Sequence, residues 1–546
     1  MRKNLLALFL VFTFILPYSA VAQSATKKNS AAMKAAQTIT AKQMSDYLYF
    51  IASDAMEGRD TPSRGLDTTA EFIKMNLSRW GFKPAGDNGT FFQKIALNVR
   101  RTDASKTSLE IGGQKLAYGV DYFSDANAAA IADSPVVFVG GGWLIKSKNI
   151  DDLKDVDVKG KTVVIFSNGL PNGVTNDDFR SGTLGQYGRD WLDPRSYVRQ
   201  KGAVGIITIA TPKTEENWDA ERTQRERGGA SVEKFQQNNR GRNIPTLTIS
   251  RKAAENLFAG ESKSFADISN AAGTVSAFAL NKTAKYTVEV RTDKASTQNV
   301  VAIWEGSDPV LKNEMVAIGA HYDHVGMNPT ADGEDKIWNG ADDDGSGTTG
   351  VLAIAEALGK SKKRPKRSIL FVWHAGEEKG LWGSRYFVEN PTVPLDKVVA
   401  QLNIDMIGRS RKTDDKNPAN AELSGENEIY VIGSKMMSSQ LGNVVDSVNN
   451  SYLKLNYNFK YDDPNDPNRF FFRSDHFNYA VKGIPITFWF DGVHQDYHGA
   501  DDEADRIDYA KMEKVTRTIF LTMWELGDAK TRPVVEKQLP KELMER

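Results

Sequence analysis

The chain has 546 residues, 40% of them hydrophobic and 26% charged, with 70 basic residues balanced by 70 acidic ones and no cysteine. That length exceeds one ordinary core and implies two or three folded units. Zero net charge gives a nucleic-acid partner no footing, and the absence of thiols excludes disulfides and every thiolate metal site.

In chain order, Arg2 and Lys3 precede an apolar run from Leu5 to Leu16, followed by Pro17 and the small-residue pattern Ala20-Val21-Ala22. This is the order of a secretory signal peptide over 1–22. The run is short for a membrane span, and a lipid anchor needs a cysteine the chain lacks. An exported protein, periplasmic or secreted, is expected, with no stable membrane anchor after signal cleavage. Residues 23–40, rich in Ser, Thr, Ala, Lys and Gln, read as a linker. Helical periodicity follows over Ala41–Met56 and Thr68–Trp80, in a segment 41–129 that opens the main domain.

Between 130 and 280 the pattern changes to short apolar strands at Pro135–Val139, Lys161–Ser167, Gly202–Ala210 and Ile244–Ile249, with a helix over Pro194–Lys201. These strands carry no histidine and no clustered carboxylates, so this smaller β/α domain is expected to do no chemistry. From 281 to 530 strand and helix alternate. Strands are predicted at Met315–Ala320, Ile369–His374, Val398–Ile404, Ile429–Ile432 and Ile484–Phe490, with helices at Thr349–Leu358, Gly383–Val388 and Ser438–Val448. Such alternation predicts a largely parallel sheet covered on both faces, with ligands at the carboxyl ends of its strands. The basic run Lys360–Arg367 reads as a solvated loop, and 531–546 as a tail.

All six histidines fall in this last domain: His321, His324, His374, His476, His494 and His498. The predicted strand ends deliver them together with acids, in His321-Tyr322-Asp323-His324, Glu377-Glu378, Asp405, and Asp491 followed by Asp496-Tyr497-His498. The run Asp342-Asp343-Asp344 precedes a helix and, alone, reads as a turn or cap. Imidazole with carboxylate and no sulfur suits zinc, with manganese or cobalt as substitutes. The donors outnumber what one catalytic zinc with an open position can use, so two metals sharing a carboxylate fit better. Such a site also needs a general base kept off the metals, and the pair Glu377 and Glu378 offers one residue for each job.

The set GAHYDH, NGADDDGSG, HAGEE, NIDM and DYH, in that order across about 299–510, resembles the M28 family of zinc aminopeptidases. The stretch LYFIASDAMEGRDTPSRG resembles the start of that family's domain, and 130–280 resembles its inserted protease-associated (PA) domain. The resemblance implies an α/β fold, a mostly parallel doubly wound sheet of zinc-exopeptidase type with a small β/α PA-like insertion, and two Zn2+ per chain. It places His321 and Asp405 on one metal, Glu378 and His498 on the other, and Asp343 between them. It makes a metal-bridging hydroxide the nucleophile, Glu377 the general base, Asp323 the partner orienting His321, and Tyr497 a stabiliser of the oxyanion. It also implies a cis peptide at Asp343-Asp344. His324, His374 and His494 are left over, for roles that support the ligands or are purely structural. Arg473-Ser474-Asp475-His476 matches a recurring element near the substrate pocket. Phe470–Phe472 and Phe488–Phe490 read as core, in part lining a pocket for an apolar side chain.

The expected activity is removal of the N-terminal residue from peptides with a free N-terminus. Two alternatives stay open: a glutaminyl cyclase-like enzyme of the same fold, and a receptor-like binding protein without catalysis. The PA-like insertion favours the peptidase, and the complete ligand set disfavours the receptor.

Overall fold

The computed structural model describes residues 29–539 except 168, 181–182, 236–243, 272–274 and 332. The expected signal peptide lies outside the described residues.

Four parallel strands form the centre of the main sheet, in the spatial order Ser368–His374, Met315–His321, Val398–Ile404 and Ile486–Phe490. Each is buried along its whole length. In Ser368–His374, Ile369, Phe371 and Trp373 face one core, shared with helices Ala41–Ile51, Arg64–Arg79, Gly347–Lys360 and Tyr509–Asp528; Leu370 and Val372 face the other, shared with Trp382–Glu389 and His476–Val481. Burial on both faces is why these segments read as unbroken apolar runs. The doubly wound α/β arrangement follows directly.

Toward its edges the sheet becomes antiparallel. Strands Phe92–Thr102 and Val290–Trp304 pair from Phe92 with Val300 to Thr102 with Val290, and the second also pairs with Ser368–His374. On the other side Glu428–Ile432 runs antiparallel to Ile486–Phe490. Parallel pairing between neighbouring strands thus dominates only the centre. The long ladder must be antiparallel, because one strand carries the chain out to a second unit and the other brings it back.

That second unit is an eight-stranded sheet with its own hydrophobic cores. Strands Ala129–Phe138, Thr162–Ile165, Gly205–Ile209 and Thr246–Ile249 lie side by side and parallel within it. The sheet reaches from Ser108–Ile111 to Phe278–Val288, wider than the 130–280 read from the sequence, since both of these strands pair with each other at its flank. One strand crosses back: Arg227–Val232 pairs with Phe92–Thr102 and edges the main sheet.

Three local expectations need correction. Residues read as linker form helix Ser30–Ala36, capped by Asn29, whose Ala32, Ala35 and Ala36 give a face small enough to pack into the main core. The helix from Ala41 stops at Ile51, short of Met56, and Asp54–Arg59 makes a tight turn with Glu57, Gly58 and Arg59 at φ 52°, 64° and 50°. The basic run ends inward: Arg367 is buried and pairs with Glu314 at 2.8 Å while donating to the Leu526 carbonyl. No described helix is long and apolar enough to cross a membrane.

Candidate metal centre

The carboxyl ends of the parallel strands meet in one place, as the topology demands. His321 closes strand Met315–His321. The turn after Ser368–His374 carries Glu377 and Glu378, entered through Gly376 at φ +73°. Asp405 follows Val398–Ile404, and His498 lies on the loop after Ile486–Phe490, itself at φ +53°. Asp343 sits in the Ala341–Ser346 turn ahead of helix Gly347–Lys360, and its peptide bond to Asp344 is cis.

Asp343 is the centre of the arrangement. Its Oδ1 lies 3.2 Å from His321 Nε2, and its Oδ2 lies 3.0 Å from His498 Nε2. Asp405 Oδ1 stands 3.6 Å from His321 Nε2, and Glu378 Oε1 stands 3.0 Å from His498 Nε2. All five residues expected as ligands therefore come together, in two groups that meet at Asp343. Glu377 Oε2 is 4.0 Å from His321 Nε2, beside the first group. Asp344, which the sequence reading left out, comes within reach of His321 and Asp405.

The donor atoms fit a cation. Asp343 Oδ2, Glu378 Oε1 and His498 Nε2 are buried and make no hydrogen bond, although they lie 3.0 Å apart. Buried polar atoms are almost always satisfied, so atoms orphaned together around one point mark where a positive charge belongs. Oxygen and imidazole donors without sulfur suit zinc. The electrostatics agree. Burial raises the Asp343 carboxyl, but the His321 and His498 imidazoles outweigh it and hold the group well below the carboxylate range. Burial lowers His498, and Asp343 and Glu378 reverse this, pushing it up to about 10. Burial, then the charges of Glu378 and Asp405, drives Glu377 well above its ordinary value.

A second layer fixes the loops. Fully buried Arg59 donates to the carbonyls of Ile51, Tyr322, Asn339 and Gly340 at 2.7–2.9 Å, tying the turns that carry His321 and Asp343 to the N-terminal helix. Asp502 accepts the backbone N–H groups of Asp342 and Asp343. His321 Nδ1 lies 3.1 Å from the Asp323 backbone carbonyl and 3.7 Å from its carboxylate, which instead accepts the Glu377 N–H. Asp323 thus faces His321 Nδ1 with both its main-chain carbonyl and, farther off, its carboxylate. His374 lies against Asp475 and Tyr479, and His494 against Asp342. His324 lies against Glu378 at 3.1 Å, with neither ring nitrogen in a hydrogen bond. Arg59 and His324 are the site residues the sequence reading missed; the turn-forming EGRD stretch gave the only signal for the first, and HYDH for the second.

A recess opens beside the centre, walled by His321, Asp343, Glu377 and Asp405 on one side and by Met406, Phe470, Phe488, Phe490 and Val493 on the other. Trp489 points instead into the opposite core. Arg473 and Ser474 reach the recess, as does Tyr497, whose ring stacks on His498 at 4.0 Å. Burial and the nearby carboxylates raise the Tyr497 phenol, so it stays a neutral donor.

Known proteins resemble this chain in sequence and in fold. Residues 299–523 match the family model described as Peptidase family M28. Leucine aminopeptidase 2 of Trichophyton equinum is 26% identical over 325 residues, 54% of this chain and 56% of that protein. Leupeptin-inactivating enzyme 1 of Streptomyces exfoliatus is 36% identical over 115 residues, 21% of this chain and 23% of that one. The chain thus spans about half the length of the fungal relative and less of the bacterial one. In fold, it is similar to a zinc aminopeptidase from Bacillus subtilis, with a TM-score of 0.51 at 17% identity, over 92% of this chain and 99% of that structure.

Proposed function

We propose, from the match of residues 299–523 to the model of peptidase family M28, that the protein is an exported dinuclear zinc aminopeptidase that removes N-terminal residues from peptides. The observation that carries this reading is the division of Asp343, one oxygen toward His321 and the other toward His498. His321 and Asp405 would hold one metal, Glu378 and His498 the other, and Asp343 would serve both. Bound there, the pair supplies Lewis-acid polarisation of the scissile carbonyl and a water of lowered pKa.

The chain's own residues do the rest. Glu377, kept off the metals and raised by burial, takes the proton of the attacking water and returns it to the leaving amine. Tyr497 donates toward the developing oxyanion. The excess of carboxylates favours the substrate's α-ammonium group, and the wall of Met406, Phe470, Phe488, Phe490 and Val493 favours an apolar first side chain. Export rests on the charged, apolar and A-x-A order of residues 1–22. The eight-stranded sheet over 108–288 is read as the PA-like insertion.

One assay tests the reading: a panel of aminoacyl-arylamides with and without N-terminal acetylation, plus N-terminal glutamine peptides, against the zinc-loaded protein and Glu377→Gln. Cleavage restricted to free N-termini is expected. The variant should lose about 10²–10⁴-fold in kcat while keeping the wild-type zinc content. Cleavage of acetylated substrates, or cyclisation of glutamine without hydrolysis, sinks the aminopeptidase reading.

A further inference from the structure

His324 lies three residues beyond His321, past the end of its strand, with its ring fully buried. The ring is held in place from behind, since a Cβ at Gly340 would meet it at 2.4 Å. A structural histidine in such a position finds hydrogen-bond partners, as His374 does with Tyr479. His324 finds none: neither Nδ1 nor Nε2 makes a hydrogen bond. Its Nδ1 instead approaches Glu378 Oε1 at 3.1 Å and Asp343 Oδ2 at 3.7 Å. Those two oxygens and His498 Nε2 are the orphaned donors already described.

Spacing separates coordination from simple contact. Four of the six distances among the four donors are 3.0, 3.0, 3.1 and 3.7 Å. A tetrahedral zinc with bonds of about 2.0–2.1 Å sets its ligands about 3.3–3.4 Å apart. We propose that His324, through Nδ1, is a fourth protein ligand of the metal position formed by Asp343, Glu378 and His498.

The proposal rests on the dinuclear reading and makes its two positions unequal. The Glu378 position gains four protein donors, His324, Asp343, Glu378 and His498, whereas the other has His321, Asp343 and Asp405 with Asp344 Oδ2 beside them. With two imidazoles against one, the Glu378 position is expected to bind its metal the more tightly.

The chain contains no cysteine, which gives a clean probe. In His324→Cys the shorter side chain is offset by the longer metal–sulfur bond, about 2.3 Å, so a cysteine there reaches the same metal. Metal-free wild type, His324→Gln and His324→Cys are titrated with Co2+, and their visible and near-ultraviolet spectra followed. The wild type should bind two equivalents, the first about 100-fold tighter or more and with the intense visible bands of four-coordinate Co2+. In His324→Gln that first phase should weaken by about 100-fold, with fainter, shifted bands. In His324→Cys a thiolate-to-Co2+ charge-transfer band should rise with the first equivalent. A folded His324→Cys without that band overturns the proposal, as does His324→Gln with an unchanged first-phase spectrum, even at reduced affinity, since that would mean His324 only orients Glu378. Wild type that fails to take two equivalents instead sinks the dinuclear reading itself, independently of His324.

Discussion

Asp343 turns its two carboxylate oxygens toward different histidines, Oδ1 to His321 and Oδ2 to His498. Its carboxyl is held well below the usual range despite complete burial, because imidazoles surround it. A residue so placed cannot be removed from one group alone. Asp343→Ala should lose both zinc ions together, read as metal content per chain after dialysis, whereas Asp405→Ala should keep the ion of the Glu378 group. Retention of one ion by Asp343→Ala would separate the two positions and end its role as a bridge. At this scale residue chemistry alone told residue type, and the division of labour came from the family resemblance. Glu377 and Glu378 are adjacent and chemically identical; in the fold Glu378 faces His498 while Glu377 faces the recess.

The elements that carry the donors are joined by Arg59, which the turn Asp54–Arg59 delivers into the space between the His321 and Asp343 loops. Four main-chain carbonyls share this one guanidinium, a fork that lysine cannot reproduce. Charge-assisted hydrogen bonds contribute about 1.5–3 kcal/mol each, and truncation leaves buried acceptors unpaired. Arg59→Met should therefore lower stability by about 3 kcal/mol or more in urea unfolding of the metal-free protein, and Arg59→Lys should recover little of it. A loss within about 0.5 kcal/mol, the ordinary surface range, would mean the loops hold their shape without it. The strands themselves were legible because two-sided burial writes each as an apolar run ending in a polar donor. Arg59 was not, because its partners lie as far as 281 residues along the chain, and no local pattern encodes such a contact. The stop at Ile51 was equally hidden, since the apolar periodicity continues to Met56 while the backbone turns left-handed at Glu57.

On the scale of the whole molecule, the antiparallel ladder of Phe92–Thr102 with Val290–Trp304 in the main sheet brackets the second sheet in sequence, and the main sheet gathers its candidate ligands at the carboxyl ends of its central strands. The strands that leave and re-enter the main sheet carry no boundary residue, so composition alone marks the second unit as 130–280 while its sheet pairs strands from 108 to 288. Global stability has a pH dependence that one buried histidine sets apart from the metal centre. His476 stacks on Phe488 at 4.5 Å, donates from Nε2 to the Phe471 carbonyl, and is driven by burial down to about 3. Unfolded, the same imidazole titrates near 6.5. Between those values the unfolded chain binds the extra proton, so stability falls as pH drops below about 6.5 and the loss is complete only below about 3. The slope approaches about 1.4 kcal/mol per pH unit for this one group. Denaturant unfolding of the metal-free protein at pH 7, 5.5 and 4.5 should therefore show wild type losing about 1–3 kcal/mol relative to His476→Phe on acidification, whichever is the more stable at pH 7. A relative stability that does not move against the wild type would mean that His476 takes up its proton without leaving the core.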